Sequence, residues 1–273
     1  CVALRTEMSM GGMIISMIEV PKKKAKKMEE EAHEVLLSSV VPLNSAVPPG
    51  EKNIFIMEAI TGKWSGKLFE GSNQKVEKID DKSVRVIVDQ SPKNEKVMKE
   101  IDVKPFLSAS VYLDTDDLLI QKLAKKGKQK ATTPIEIAKK LTKFVYRYVA
   151  SKNYDVGFAT ASEVARNKEG DCTEHSMLLA ALGRALNIPS RVVTGLVYAD
   201  EFEDQKDVLV YHMWTQFHID GQWLDFDSAL GLVKCPADRI TLAVDSMEED
   251  TVVSVLPVME LINNLKVTVK LSE

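Results

Sequence analysis

Gly170-Asp171-Cys172-Thr173-Glu174-His175 opens a run that is apolar on nearly every face from Met177 to Leu186. A helix of that kind is covered on several sides, so it is expected at the centre of the fold. Asp171 and Glu174 form a capping-box pair around its start. Cys172 then lies in the first turn, where unpaired backbone N–H groups and the positive end of the helix dipole favour a thiolate and predict a lowered thiol pKa. The plainer reading of a buried cysteine is a small hydrophobe. A nucleophilic thiol needs a base within hydrogen-bond reach and a group that orients the base.

Four histidines compete for the base. His33 lies in a charged N-terminal segment and His175 sits on the Cys172 helix, with Glu174 as its only obvious carboxylate; both are read as structural. His212 and His218 share the strand Val210 to Ile219, and side-chain alternation puts them on one face with Trp214 and Gln216. Six residues separate them by about 20 Å, so only one can join a compact site. Asp220-Gly221 between two apolar runs signals a two-residue hairpin turn. Pairing Ile219 with Gln222 sets Gln216 opposite Asp225 and Trp214 opposite Asp227. Asp227 is then diagonal to His212, at ~7 to 8 Å between backbones and on the same face. This selects His212 with Asp227 over His212 with Asp225; His218 with Asp225 stays open as a geometric competitor.

These motifs, with Ile188-Pro189-Ser190-Arg191-Val192-Val193-Thr194-Gly195, His212-Met213-Trp214 and Trp223-Leu224-Asp225-Phe226-Asp227, resemble the bacterial transglutaminase-like superfamily, whose core is similar to papain-like cysteine proteases. The resemblance covers about 116 to 230. It implies Cys172 as nucleophile, His212 as general base and acid, and Asp227 as the group fixing the imidazole. One departure is Asp227-Ser228-Ala229, where the family commonly has Asp-Pro-Thr. The expected fold class is α+β: the resemblance implies a papain-like core, with a central Cys-bearing helix packed on an antiparallel sheet, and the strand-like pattern before Lys104 predicts a preceding β-rich domain. The expected division is a β-rich N-terminal domain over 1–110 and a transglutaminase-like catalytic domain over 111–273.

Working outward, Thr160 and Glu163 announce a capped short helix. Thr133, Pro134 and Glu136 announce a longer one with its own capping box. Asp114 to Asp117 place acids ahead of the periodic run Leu118 to Leu123, which ends at Gly127. Before Lys104 the pattern changes to short apolar stretches, Met13 to Val20, Asn53 to Ile60, Ser83 to Val88 and Val97 to Val103, of which three read as strands. Val41-Pro42 through Pro48-Pro49-Gly50 reads as a connector without ladder pairing. Lys22 to Lys27 and Glu29 to Glu31 read as a short exposed helix with a solvated face.

Composition narrows the function. With 273 residues, 45% of them hydrophobic, the chain has enough apolar content for one large or two modest domains. Its formal charge of −4 argues against nucleic acid as a partner. No apolar run approaches the ~20 residues of a membrane span. Cysteines at 1, 172 and 235 lack the spacing of a disulfide framework or zinc ribbon, and no acidic loop has a calcium-site pattern. No cofactor or metal is expected. The chain begins at Cys1 without an initiator Met, as a processed form or a piece of something longer would; lipid modification of Cys1 is one reading and a domain boundary the plainer one.

The expected activity is thiol-dependent acyl transfer on peptide or protein amides, with hydrolysis by water as the leading outcome and protein crosslinking through an amine acceptor as the alternative. Two other readings are a catalytically silent copy of the fold that binds peptide or cell-wall material, and a metal-binding protein using Cys172, His175, His212 or His218. The Cys172 backbone N–H is the natural oxyanion donor. Tyr154 is a candidate second donor, a core tyrosine being the plainer reading. Trp214 is read either as an acyl-site wall or as core. Arg191 is assigned to a surface or structural ion pair and Cys235 to a spare thiol. Compartment and oligomeric state are left open.

Overall fold

The computed structural model describes residues 5–10, 13–18, 40–64, 68–71, 73–91, 102–151, 159–248 and 264–270. In chain order these form β1 (Arg5–Met10), β2 (Met13–Ile18), β3 (Val40–Pro42), β4 (Lys52–Ala59), β5 (Gln74–Lys78), β6 (Ser83–Asp89), a 3₁₀ turn (Lys104–Phe106), α1 (Leu118–Lys128), α2 (Pro134–Tyr148), α3 (Ala161–Asn167), α4 (Cys172–Arg184), β7 (Ser190–Phe202), β8 (Gln205–Ile219), β9 (Gln222–Phe226), β10 (Arg239–Asp245) and β11 (Leu265–Lys270). The Lys22 to Glu31 segment, His33, Tyr154 and Cys1 lie outside the described residues. None of the described helices is long and apolar enough to cross a membrane.

Every residue of α4 is buried, as its all-round apolar surface requires. It packs against a sheet of order β10-β7-β8, in which both β3 and β9 add to the remaining edge of β8. β3 pairs with Val208 to Val210 and β9 with Thr215 to Ile219, so among the described residues Tyr211 to Trp214 have no strand partner on that edge. The opposite edge of the same stretch is fully paired to β7. Helices α1, α2 and α3 cover α4 from the other side. Arg184, in the last turn of α4, donates to the carbonyls of Ser190, Ser108 and Ser246 at 2.7 to 3.1 Å, tying three distant segments to the end of the helix.

A second sheet runs β11-β4-β6-β5, antiparallel throughout. Phe55, Met57, Val84, Val86, Val88, Val267 and Val269 alternate into its buried face, the period-two pattern of a half-covered sheet. Three of the four apolar stretches expected in this half contain strands β2, β4 and β6. Among the described residues, β1 and β2 form a separate two-stranded sheet.

The chain crosses the 110/111 division twice. β11, from the C-terminal end, pairs with β4, and β3, from the N-terminal part, pairs with β8. The β3 ladder corrects the reading of Val41-Pro42 as connector. Three residues are too few to show a period, and Pro42 sits at the strand's end, where a missing N–H is tolerated. Buried amides join the two sheets: Asn53 Nδ2 donates to Ala237 O at 3.0 Å, and Gln74 makes both a donor and an acceptor bond to the Thr241 backbone at 2.7 and 2.8 Å.

The helix starts follow their caps with one exception. Asp117 accepts from the Leu119 and Ile120 N–H groups, and Thr160 with Glu163 completes a capping box. The box expected at Thr133 is absent: the Thr133 hydroxyl bonds the Glu136 carboxylate directly at 2.9 Å, so neither side chain is left for the backbone donors.

Candidate active site

Gly170 enters α4 at φ +146°, a region that favours glycine, and a Cβ there would sit 2.3 Å from the Glu174 Cβ. This tight entry lets Asp171 accept from Thr173 N–H at 2.7 Å while Glu174 accepts from Asp171 N–H at 3.0 Å. The box places Cys172 as the first helical residue, 8% exposed. The Met213 backbone N–H, on β8, is near enough to the sulfur to favour its charged form. Thr173 Oγ1 donates to the Met213 thioether at 3.4 Å, pinning the helix start to the residue that follows His212.

Burial pushes the Cys172 thiol well above its ordinary range, Asp171 adds to the rise, and the Met213 N–H opposes both. This corrects the expectation of a lowered pKa. The turn that supplies free N–H groups also carries the Asp171 carboxylate, and its residues are buried. Among the described residues, no hydrogen bond joins the sulfur to the His212 ring.

His212 Nε2 lies 2.9 Å from Asp227 Oδ2, with Asp227 fully buried. The hairpin that brings them together has the expected register, Ile219 opposite Gln222 through Gln216 opposite Asp225 and Thr215 opposite Phe226. Asp220 and Gly221 both have positive φ, as a type I′ turn demands. Asp227 leaves the ladder to bridge Leu232, and its Oδ1 accepts from Ala229 and Leu230 N–H groups, each at 3.1 Å. Ser228, where the family resemblance leads one to expect Pro, anchors this turn to α4 by donating to His175 O at 3.0 Å.

Asp227 has a second partner that the sequence reading missed. Arg239, at the start of β10 and 1% exposed, donates from Nη1 to Asp227 Oδ2 at 3.1 Å and from Nε to Asp238 at 3.2 Å. Burial alone would raise the Asp227 pKa, but the His212 and Arg239 interactions outweigh it and hold the carboxyl far below its usual range. Arg239 is not marked by periodicity or by a motif. Its role arises because a strand twelve residues downstream pairs with β7 and delivers it behind Asp227.

Trp214 is 1% exposed, so it lies behind the imidazole and not on an open wall. Its ring stacks on His212 with centroids 6.4 Å apart and planes at 19°, and the Arg239 guanidinium lies 5.3 Å from its centroid. Gly195 stands opposite His212 in the β7–β8 register. A Cβ there would come within 2.5 Å of the Trp214 ring and 2.2 Å of the Ile240 carbonyl, so the close packing depends on glycine.

Asp225 is committed elsewhere. Its Oδ1 accepts from Trp214 Nε1 at 2.9 Å and Gln216 Nε2 at 2.7 Å, and its Oδ2 from Asn73 and Gln90 side-chain amides. His218 packs on the Trp223 ring, and its buried Nε2 has no hydrogen-bond partner among the described residues. The open competition is thereby resolved: His218 does not pair with Asp225. Arg191 is buried, not at the surface. It bonds Gln216 Oε1 at 2.8 Å and lies 4.0 Å from the Trp223 ring centroid and 4.9 Å from that of Phe69. Aromatic faces from three segments enclose the cation. His175 and Cys235 are buried; burial lowers the His175 pKa and raises that of Cys235. Tyr211, one residue before His212, is buried, and burial raises its phenol pKa. Among the described residues, no three side chains converge as metal ligands.

The central segment, residues 121–228, matches the transglutaminase-like superfamily. This segment belongs to that superfamily. The transglutaminase-like core thus contains the helix carrying Cys172 and the hairpin carrying His212 and Asp227, whereas Arg239 and the second sheet lie beyond the matched residues. Among solved structures, the chain is similar to the periplasmic domain of TgpA from Pseudomonas aeruginosa, with a TM-score of 0.50 at 14% identity over 76% of this chain and 95% of that one. That likeness extends the shared fold beyond the matched core. It is also similar to a candidate cysteine protease from Cytophaga hutchinsonii (TM-score 0.48, 17% identity, 81% of this chain and 86% of that one). Red sea bream transglutaminase aligns at a TM-score of 0.36 and 11% identity, over 70% of this chain and 48% of that one. No curated protein matches the sequence.

The Glu174 carboxyl has a stability consequence of its own. Burial and then the Asp171 charge push its pKa up to about 8. In the unfolded chain a glutamate loses its proton near pH 4.3, so between there and about pH 8 the folded state holds a proton that the unfolded state lacks. Stability therefore falls as pH rises through that window. Glu174→Gln keeps the acceptor for Asp171 N–H and removes the ionisation. The variant is expected to match wild type at pH 4.5 and to gain on it toward pH 8, by at most about 5 kcal/mol. Urea unfolding at the two pH values reads this, and a pH-independent offset would contradict it.

Proposed function

We propose that the chain is a thiol-dependent acyl-transfer enzyme that hydrolyses peptide or protein amides, with Cys172 as nucleophile, His212 as base and acid, and Asp227 as the group orienting the ring. The observation that carries this reading is the 2.9 Å His212–Asp227 bond on the strand whose next residue presents its N–H to the Cys172 sulfur.

The chemistry follows from the electrostatics. A buried thiol beside the Asp171 carboxylate has little tendency to ionise alone, so the proton passes to His212 as sulfur approaches the amide carbonyl. Asp227, kept ionised by Arg239, fixes the imidazole and stabilises the imidazolium. The negative oxygen formed by attack meets the Cys172 backbone N–H at the helix start. His212 then returns the proton to the departing amine, leaving a thioester on Cys172. Water, deprotonated by the same ring, attacks the thioester and releases the carboxylic acid, and the thiol regains its proton.

Cleavage of a mixed peptide library, run beside incorporation of a labelled primary amine into a glutamine donor, tests the reading. Hydrolysis lost in Cys172→Ala is the expected result. Amine incorporation without hydrolysis would reassign the acceptor. Absence of both activities and of a Cys172 acyl adduct would leave a binding module.

A further inference from the structure

The carboxylate of Asp225 is saturated by four neutral donors, two to each oxygen. Trp214 and Gln216 come from the strand that carries His212, while Asn73 and Gln90 come from the β5–β6 half of the other sheet. Asp225 is 4% exposed and Asn73 7%. A carboxylate has about four lone-pair sites, so each donor removed leaves a buried acceptor unpaired. Arg191 is linked to this group through Gln216, whose Oε1 accepts its Nε–H.

The arrangement has a direction. Oδ1 fixes the indole N–H of Trp214, and the face of that indole lies against His212. Oδ2 fixes Asp225 to the second sheet. Among the described residues, the side-chain amides of Asn73 and half-buried Gln90 bond a side chain of the β8–β9 hairpin, whereas Asn53 and Gln74 bond backbone of the chain around β10.

We infer that the N-terminal sheet is a working part of the active site: Asn73 and Gln90, acting through Asp225, hold the Trp214 ring that sets the position of the His212 imidazole. These four are positioning residues, and the inference rests on the reading of His212 as base. A domain that only carried substrate would have no need to reach the back of the catalytic strand. Loss of both amides frees Asp225 to rotate, the indole loses its fixed partner, and the imidazole loses its platform while keeping Asp227 and Arg239.

The test uses the full chain with Asn73→Ala and Gln90→Ala combined, and Asp225→Asn as a second variant of unchanged shape. Proton NMR at one pH reads the indole N–H of Trp214, assigned by Trp214→Phe, and the His212 ring protons, which feel the indole ring current. Both sets of resonances are expected to move in both variants, while the Trp64 indole resonance stays in place. Cys172 alkylation at pH 7 is expected to slow by about tenfold in the double variant, and this slowing is expected to vanish in a His212→Ala background. Unmoved Trp214 and His212 resonances in a folded double variant would overturn the inference, as would a slowing that persists without His212. If His212→Ala alone leaves alkylation unchanged, the assignment of the base fails instead, and the resonances still decide whether the sheet positions the ring. If the double variant does not fold, Asp225→Asn carries the same measurements and outcomes.

Discussion

Cys172→Ala is expected to lower amide turnover by at least about 10⁴-fold while leaving the fold intact. The loss follows because no other side chain at the site can form the acyl intermediate: Cys235 is buried, and burial holds its thiol far above its ordinary range. The structural cost is small. Removing one sulfur from a residue already 8% exposed costs about 1 kcal/mol, and the capping box of Asp171 and Glu174 does not involve the thiol. Steady-state turnover on a substrate found by the library screen, together with a thermal melt, checks both halves. Retained activity in a folded variant would remove Cys172 from the chemistry.

Asp227→Asn is expected to lower kcat/KM by about 10² to 10⁴-fold, because the amide cannot stabilise an imidazolium and can hold the ring in the wrong tautomer. It also takes one of two carboxylates from a buried cation. Arg239, 1% exposed, keeps its ion pair with Asp238 but loses the one with Asp227; breaking a buried pair costs up to about 3 to 5 kcal/mol. The cost has a pH signature. The folded pKa of Asp227 is depressed, so its contribution is present above the unfolded value near 4 and is lost as pH falls below it. Wild type is therefore expected to exceed Asp227→Asn in stability at pH 7, and the gap is expected to close below about pH 4. Denaturant unfolding across that range reads it; a constant gap would mean that Asp227 is not held as an anion.

The central helix, its capping residues and the hairpin register were legible because each depends on neighbours in sequence. A two-residue Asp-Gly turn fixes pairing for several residues, and that carried the argument from His212 to Asp227. What depends on distant pairing could not be read. Arg239 looks like an ordinary strand residue until β10 is placed beside β7, and Asn73 and Gln90 look like surface amides until the second sheet is docked behind β9. The thiol's environment was misjudged for a related reason. Helix position argues for a low pKa, but burial and the Asp171 charge reverse the balance. β3 and β11, which carry strands across the expected division at 110, show that strand partners are chosen by the assembled edge and not by position along the chain.

The most direct test is the rate of Cys172 alkylation by iodoacetamide at pH 7, located by peptide mapping, in wild type and in His212→Ala. At that pH an unassisted thiol is mostly protonated. Wild type is expected to react at least about tenfold faster than the variant, because the imidazole takes the proton that burial would otherwise keep on sulfur. Equal rates in two folded proteins would show that the thiol and the ring do not act together.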